Sequence, residues 1–517
     1  MSRRRAAALI ALGALGLLSS YAPFRIPPLS FVAVTPAVIL LLDATSARDP
    51  RRAFQLGFWY GVATNGLVLY WMVVALWHFT AFAALGYFAT IAALGLLYGL
   101  LFWFIVRVRL AVPAVPLALV FPLAWTALEW LIGHLSDIRF PWLGLGTSLA
   151  DAPVLVQWAD LAGARGVTCW VAWCNVMIVT AWDVGSGGVG TVRWRRLGTV
   201  LATIVLAWGY GAWRMRTLRT RDVGLVGLIQ PNEAYGEKWV RPVDSVVAKL
   251  LDLTRRVRAQ YRPDVIVWPE AGLPGYLDQQ RAWDDSIQRI AAESHTPLLV
   301  GGLHVEWLTG GAYRTYNAAF FYDSTGAWRR WPVYEKRYLV PVVERVPFVP
   351  VSWFRRVPGL ARWSGGFGRG RDLPVYPTGI GRFGVIICYE SAFEDLPRGY
   401  RRAGADFLVN ITNDAWFGRT VAPYQHASHL VLRAIETRMG VARAANSGVS
   451  ELVDPLGRVS DATELDREAI VGARLRTSDV VTLYVRLGDW VGTLCVLATL
   501  GLAGVLLVQR RKSEPRP

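Results

Sequence analysis

The sequence predicts a multi-pass α-helical membrane region of eight helices joined to an α/β domain. Three observations carry this reading. Of the 517 residues 53% are hydrophobic and the mean hydropathy is +0.32, too apolar for one soluble globule. Eight apolar segments are long enough, or nearly so, to cross a bilayer core of about 30 Å, which takes roughly 20 helical residues. Between the seventh and the eighth, residues 214–487 change to alternating strand-like and helix-like runs.

The spans fall near 6–22, 28–43, 54–77, 81–106, 112–134, 163–182, 197–213 and 488–509. The first, "SRRR" followed by "AAALIALGALGLL", has the make-up of a signal peptide. Further apolar segments follow at once, so it reads as a retained first helix. The second is short and flanked by proline.

Arginine sets the orientation. Basic clusters precede span one, separate spans two and three (Arg48, Arg51, Arg52), follow span four (Arg107, Arg109), separate spans six and seven (Arg193, Arg195, Arg196) and follow span eight as "RRK". With eight spans all of these lie on one side, which the positive-inside rule makes the cytoplasm. Arg214, Arg216, Arg219 and Arg221 lie on the other side, but they open a long domain, where the rule is weak. The expected organisation is therefore 1–213 seven-helix transmembrane region, 214–487 extracytoplasmic α/β domain, 488–509 final helix and 510–517 cytoplasmic tail. The net charge of +17 also suits nucleic-acid binding. Its placement at the ends of apolar segments favours a membrane and leaves no nucleic acid among the expected partners.

In the α/β domain, strands are expected at 222–230, 264–270, 297–305, 317–323, 383–390 and 406–414, with helices such as 243–260 and 424–439 between them. Polar residues gather where these strands end: Glu270, Cys388, and Asn413 with Asp414. Reacting groups collect at such carboxyl ends in open α/β sheets. "YEKRYLVPVVE" adds Lys336 and Glu344. The chain has four lysines against 51 arginines, so a lysine here marks a place where a compact ammonium is needed.

The four cysteines, Cys169, Cys174, Cys388 and Cys495, suit neither a zinc site nor a disulfide framework. Cys388 alone lies in the exported domain, where an unpaired thiol is a liability. An inert core cysteine is the bland alternative. The neighbouring Glu390 at a strand end, together with Lys336 and Glu270, favours a reactive one. A thiol with a pKa near 8.5 is only a few per cent thiolate at neutral pH. A carboxylate can take its proton, and an ammonium can stabilise the oxyanion of a tetrahedral intermediate. Glu, Lys and Cys together can thus carry acyl transfer through a thioester.

Other candidates read less sharply. Glu344 and Glu390 are, taken singly, more often structural partners than catalysts. His426 and His429 share a helix at metal-pair spacing, but with no third ligand apparent they favour packing, and no metal is expected. Glu129 is an intramembrane charge, either functional or hydrogen-bonded to a neighbouring helix. Residues 346–372 mix aromatics, prolines, glycines and arginines and read as an arm at the membrane surface, with Trp353 and Phe354 as apolar contacts and Arg355 and Arg356 as headgroup contacts.

The motifs "WPE" at Glu270, "YEK" at Lys336 and "ICYE" at Cys388 resemble the Glu–Lys–Cys triad of the nitrilase superfamily. With seven helices before the domain and one after, the whole chain resembles the apolipoprotein N-acyltransferase family. Further matches are "FPWLGLG", "IQPN" followed by "EKW", "LVPVVERVPF", "NDAWFG", "YQH", "RAIETR" and "NSGVS". One departure is "LVPVVE", where "LVPFGE" is expected; it leaves Lys336 and Glu344 in place.

The resemblance implies an αββα sandwich and a bacterial inner-membrane enzyme with a periplasmic catalytic domain, acting as a monomer without cofactors. It implies that Cys388 attacks the sn-1 ester of a phospholipid and passes the acyl chain to the α-amine of a diacylated apolipoprotein. Glu270 would be the base, Lys336 and the Tyr389 N–H would hold the oxyanion, Glu344 would orient Lys336, and Trp239, Tyr389 and Glu390 would support the site. Two rival readings are a membrane-tethered nitrilase-type amidase acting on a small soluble substrate, and a transporter or scaffold with an inactive domain. The intact triad argues against the second.

Overall fold

The computed structural model describes residues 1–77, 83–183, 191–234, 236, 242–311, 313–348 and 366–513. The chain divides into two compact units. One comprises Met1–Leu135, Phe140–Thr217 and Leu487–Pro517, and the other Ser136–Arg139 and Leu218–Arg486.

The first unit is helical: α1 (Arg3–Ser20), α2 (Thr35–Ser46), α3 (Pro50–Val68), α4 (Trp71–Trp77), α5 (Ala83–Ala111), α6 (Leu117–His134), α7 (Ala159–Ala181), α8 (Trp194–Thr217) and a C-terminal helix, Trp490–Ser513. Several leave large apolar side chains facing outward, among them Leu12, Leu96, Leu206 and Leu500, as helices in lipid do. Among the described residues, five segments are long and apolar enough to cross a membrane: Pro27–Ser46, Leu85–Ala111, Leu117–His134, Ala159–Ala181 and Trp490–Gln509. Counting α3 with α4, which bend 62° at their break, as one span gives six. Helices α1 and α8 stand where spans are expected but fall outside that set; Arg3, Arg4 and Arg5 open the one, and Arg195, Arg196, Arg214 and Arg216 lie in the other.

Close approach inside this unit uses small residues. A Cβ on Gly57 of α3 would lie 2.5 Å from the carbonyl oxygen of Tyr98 on α5. Glu129 of α6 accepts hydrogen bonds from Trp125 Nε1 (3.0 Å), Leu145 N (2.9 Å) and Thr168 Oγ1 on α7 (2.8 Å). Of its two sequence readings, the hydrogen bond to a neighbouring helix is therefore present.

The second unit holds two six-stranded sheets. The first contains β1 (Arg221–Gln230), β2 (Val265–Val267), β3 (Leu298–Trp307), β4 (Tyr313–Tyr322) and β5 (Tyr334–Glu335), with β1 to β3 parallel. The second contains β6 (Val375–Thr378), β7 (Gly381–Ile387), β8 (Phe407–Thr412), β9 (Gly440–Ala445), β10 (Glu451–Val453) and β11 (Val459–Ser460), with β7 to β9 parallel. Strand β12 (Ala469–Thr477) closes the first sheet, antiparallel to β1.

Both faces of the parallel strands are buried, which is why they read as continuous apolar runs. Helices α9 (Val243–Tyr261) and α10 (Arg281–Ser294) bury Val246, Leu250, Val257, Ile287 and Ile290 in one core with Ile266, Leu298, Val300 and Phe320 of the first sheet. On the opposite face, Phe321 of β4 meets Tyr376 of β6 and Phe383 of β7, with ring centroids 5.0 and 5.6 Å apart. Helices α11 (Asp395–Arg402) and α12 (Ala422–Thr437) pack on the second sheet. The order of layers is helix, sheet, sheet, helix.

Candidate active site

Strand ends deliver the chemistry. Glu270 stands three residues beyond β2, after Trp268 and Pro269. It can come close to β3 because position 301 is glycine: a Cβ there would lie 2.2 Å from the Pro269 carbonyl oxygen and 2.9 Å from Glu270 Cα. Lys336 follows β5, with its own N–H donating to the Asn317 carbonyl at 2.8 Å. Strand β7 keeps register with β8 to Ile387, and Cys388 then turns into the left-handed region at φ +51° and opens a short 3₁₀ turn to Ala392. A non-glycine residue held there costs about 1–3 kcal/mol, which only over-determined surroundings sustain.

The structure brings Glu270, Lys336 and Glu344 together. Lys336 Nζ donates to Glu270 Oε1 at 3.0 Å and to Glu344 Oε1 at 2.9 Å. Asn317 Nδ2 donates to the same two oxygens, at 2.7 and 2.9 Å. The remaining carboxylate oxygens are also held: Glu270 Oε2 accepts from Asn413 N (2.9 Å) and Glu344 Oε2 from Val340 N (2.8 Å). Relative exposure is 1% for Lys336, 4% for Glu270, 7% for Cys388 and 9% for Glu344, so these groups act on one another with little screening by water.

The electrostatics separate the possible roles. Burial disfavours the Lys336 ammonium, but Glu270 and Glu344 outweigh it and hold the group well above the usual lysine range. A lysine so held donates hydrogen bonds and is no base. Burial and Glu270 push the Cys388 thiol up, with Lys336 pulling it down less strongly. The resting thiol therefore keeps its proton, and attack by sulfur requires a base at the moment of reaction.

Glu390 fastens two segments. Its Oε2 accepts from Ile387 N and Tyr334 OH, both at 2.7 Å, and its Oε1 from Arg337 N (2.7 Å) and Tyr338 N (3.1 Å). It thus joins the end of β7 to the chain just past Lys336. Burial pushes its carboxyl up to about 7 against the pull of the Ile387 N–H and the Tyr334 hydroxyl. Tyr389 is buried and its hydroxyl donates to the Arg139 carbonyl at 2.6 Å. Trp239, and Trp353, Phe354, Arg355 and Arg356 of the arm, lie outside the described residues.

Two further groups belong to the site or its surroundings without a clear mark in the sequence. Asn317 read only as the start of a strand; its signal was an amide heading an otherwise apolar run. Arg443, in the apolar strand β9, belongs to a fully buried network in which Asp414 accepts from Thr412 Oγ1 (3.0 Å) and Arg443 Nη2 (2.8 Å) and pairs with His426 Nδ1 (2.9 Å). Burial opposes ionisation of Asp414, but Arg443 and His426 hold its carboxyl down to about 2. His426 is committed to this network, and burial keeps His429 well below the usual histidine range.

Two facing α/β sheets with a buried Glu–Lys–Glu cluster beside a strand-end cysteine make this unit an enzyme domain of the carbon–nitrogen hydrolase class, and the family model Carbon-nitrogen hydrolase matches residues 225–483. A second model, Apolipoprotein N-acyltransferase N-terminal domain, matches residues 13–177. Proteins named apolipoprotein N-acyltransferase are similar along most of their length. That of Geobacter metallireducens is 33% identical over 94% of this chain and 92% of its own. That of Brucella melitensis is 31% identical over 98% and 97%, and that of Chlorobaculum tepidum 31% over 75% and 76%. The chain belongs to the apolipoprotein N-acyltransferase family.

Proposed function

We propose that this chain moves an acyl group from the sn-1 position of a phospholipid to the α-amine of a diacylglyceryl-cysteine apolipoprotein, through a thioester on Cys388, as the last step of lipoprotein maturation. The observation that carries the reading is the buried ammonium of Lys336 shared between Glu270 and Glu344 beside a strand-end thiol, in a chain with several membrane-length apolar helices.

Glu270 takes the Cys388 proton as sulfur attacks the ester carbonyl carbon. The oxyanion is held by Lys336 Nζ and the Tyr389 N–H. The C–O bond then breaks, the leaving alkoxide takes the proton from Glu270, and lysophospholipid departs. In the second half the incoming amine attacks the thioester carbon while Glu270 accepts its proton. The C–S bond breaks, the thiolate regains that proton, and an amide is formed. Both halves balance without a cofactor. Glu344 orients Lys336, and Trp239, Tyr389 and Glu390 support the site. Eight spans put both termini in the cytoplasm of a bacterial inner membrane and residues 214–487 in the periplasm, and the enzyme works as a monomer.

Purified protein given labelled phospholipid and a diacylated lipopeptide tests the reading. The expected products are labelled N-acyl peptide and lysophospholipid. Hydrolysis of a small soluble amide with no transfer to the peptide would instead favour a tethered amidase, and no product of either kind would favour a scaffold.

A further inference from the structure

The tetrapeptide Ser136–Arg139 follows helix α6 in sequence yet belongs to the same unit as the candidate active site. Its one acidic side chain, Asp137, is bound from several directions. Oδ2 accepts the backbone N–H of Phe348 at 3.0 Å, and Oδ1 accepts Arg369 Nη2 at 2.6 Å. Arg345 Nε stands 3.9 Å from Oδ2. Phe348 and Arg369 lie on either side of residues 349–365 in sequence, so one carboxylate binds both flanks of that stretch.

The chain from Phe367 to Gly370 is stitched to the site. Phe367 N donates to the Glu344 carbonyl (2.9 Å), Gly368 N to the Thr315 carbonyl (2.7 Å) and Gly370 N to the Lys336 carbonyl (3.0 Å). Arg369 sits inside that run. At the other end of the tetrapeptide, the Arg139 carbonyl receives the Tyr389 hydroxyl, one residue from Cys388, and the Arg139 guanidinium lies 5.0 Å above the Tyr338 ring.

We infer that Asp137 is a positioning residue of this site: its carboxylate fastens both flanks of residues 349–365 and through them fixes Lys336 and Glu344 where they meet Glu270. This rests on the acyl-transfer reading of that cluster. An ion pair whose arginine is 39% exposed contributes little by itself. The force of this one is geometric, because the same carboxylate also holds a backbone N–H, and the segment it fixes carries the carbonyl contacts of both site residues. The sequence gives no hint of it, since "LSDIRF" reads as an ordinary loop between two apolar segments.

Single-turnover acylation tests the role. Full-length protein in nanodiscs receives phospholipid, or a short-chain soluble ester, and acyl-Cys388 is followed by mass spectrometry. Asp137→Ala and Arg369→Ala should each slow acylation about tenfold with either donor, as small misplacements of reacting groups do. The double variant should be no slower than the worse single one. The final amount of acyl-enzyme should equal that of wild type, because every molecule still reacts. Variants at the wild-type rate, losses that multiply in the double variant, or a reduced amount of acyl-enzyme formed at the wild-type rate would each overturn the role; the last would mean that Asp137 serves only to keep the protein folded. Wild-type protein that forms no acyl-Cys388 would overturn the acyl-transfer reading itself, whatever the variants do.

Discussion

Lys336 stands at nearly equal range from two carboxylates, and that sharing divides the labour in the site. One carboxylate can leave the lysine to handle a proton while the other keeps the ammonium aimed, which a single ion pair could not do. Glu390 is bound differently, by three backbone N–H groups and a phenol, and its carboxyl is raised from its ordinary 4.5 to about 7. An acid raised in this way holds its proton more tightly when folded. Its contribution to stability is therefore complete below about 4.5 and is lost as the pH rises through about 7. Glu390→Gln should flatten the fall in thermal stability between about pH 5 and pH 8, although the variant starts lower because its amide turns a donor toward backbone donors. A pH slope equal to that of wild type, followed by thermal unfolding in detergent, would count against this assignment. Glu270, Lys336 and Cys388 could be read from the sequence because each is a reactive group out of place: a carboxylate or a thiol ending an apolar run, and a lysine in an arginine-rich chain. Asn317 could not, since asparagine beside a strand is also what a turn would show. Asp137 could not because its partners, Phe348 and Arg369, are more than two hundred residues away.

At the scale of elements, the site depends on how closely β3 passes the chain beyond β2. Gly301→Ala would set a methyl group 2.2 Å from the Pro269 carbonyl and 2.9 Å from Glu270 Cα. We expect a loss of about 1–3 kcal/mol in stability, as for other overpacked cores, together with slower acylation, because the shift falls on Glu270. A variant with wild-type stability and rate would show that β3 yields there without moving the site. The arm at 346–372 mixes aromatics with arginines. Replacing Trp353 and Phe354 with Ser should weaken use of bilayer lipid more than use of a short-chain soluble ester, and equal losses on both would count against a membrane contact. The strands that the sequence marks clearly are those with both faces covered, such as β1, β7 and β8. "VIVWPE" and "GVIICYE" run past the true strand ends at Val267 and Ile387, because Trp268 and Cys388 extend the apolar runs by one residue after the backbone has left the ladder. Strands β9 and β12 are harder to see in the sequence, since Arg443 breaks the apolar run of one and "AIVGARLRT" alternates like an exposed edge.

For the whole molecule, the arginine pattern predicts that residues 214–487 lie outside the cytoplasm and both termini inside. Reporter fusions at position 300 and at the C-terminus should report opposite sides, and a shared side would refute the eight-span arrangement. In the proposed chemistry, a buried thiol that keeps its proton at rest becomes an acyl carrier when substrate arrives. Wild-type protein given phospholipid alone should accumulate a hydroxylamine-labile acyl group on the peptide containing Cys388, seen by mass spectrometry and discharged when a diacylated lipopeptide is added. Cys388→Ala should fold, since one sulfur contributes little packing, and should carry no acyl group. An acyl group on another residue, or transfer that continues in Cys388→Ala, would contradict the account.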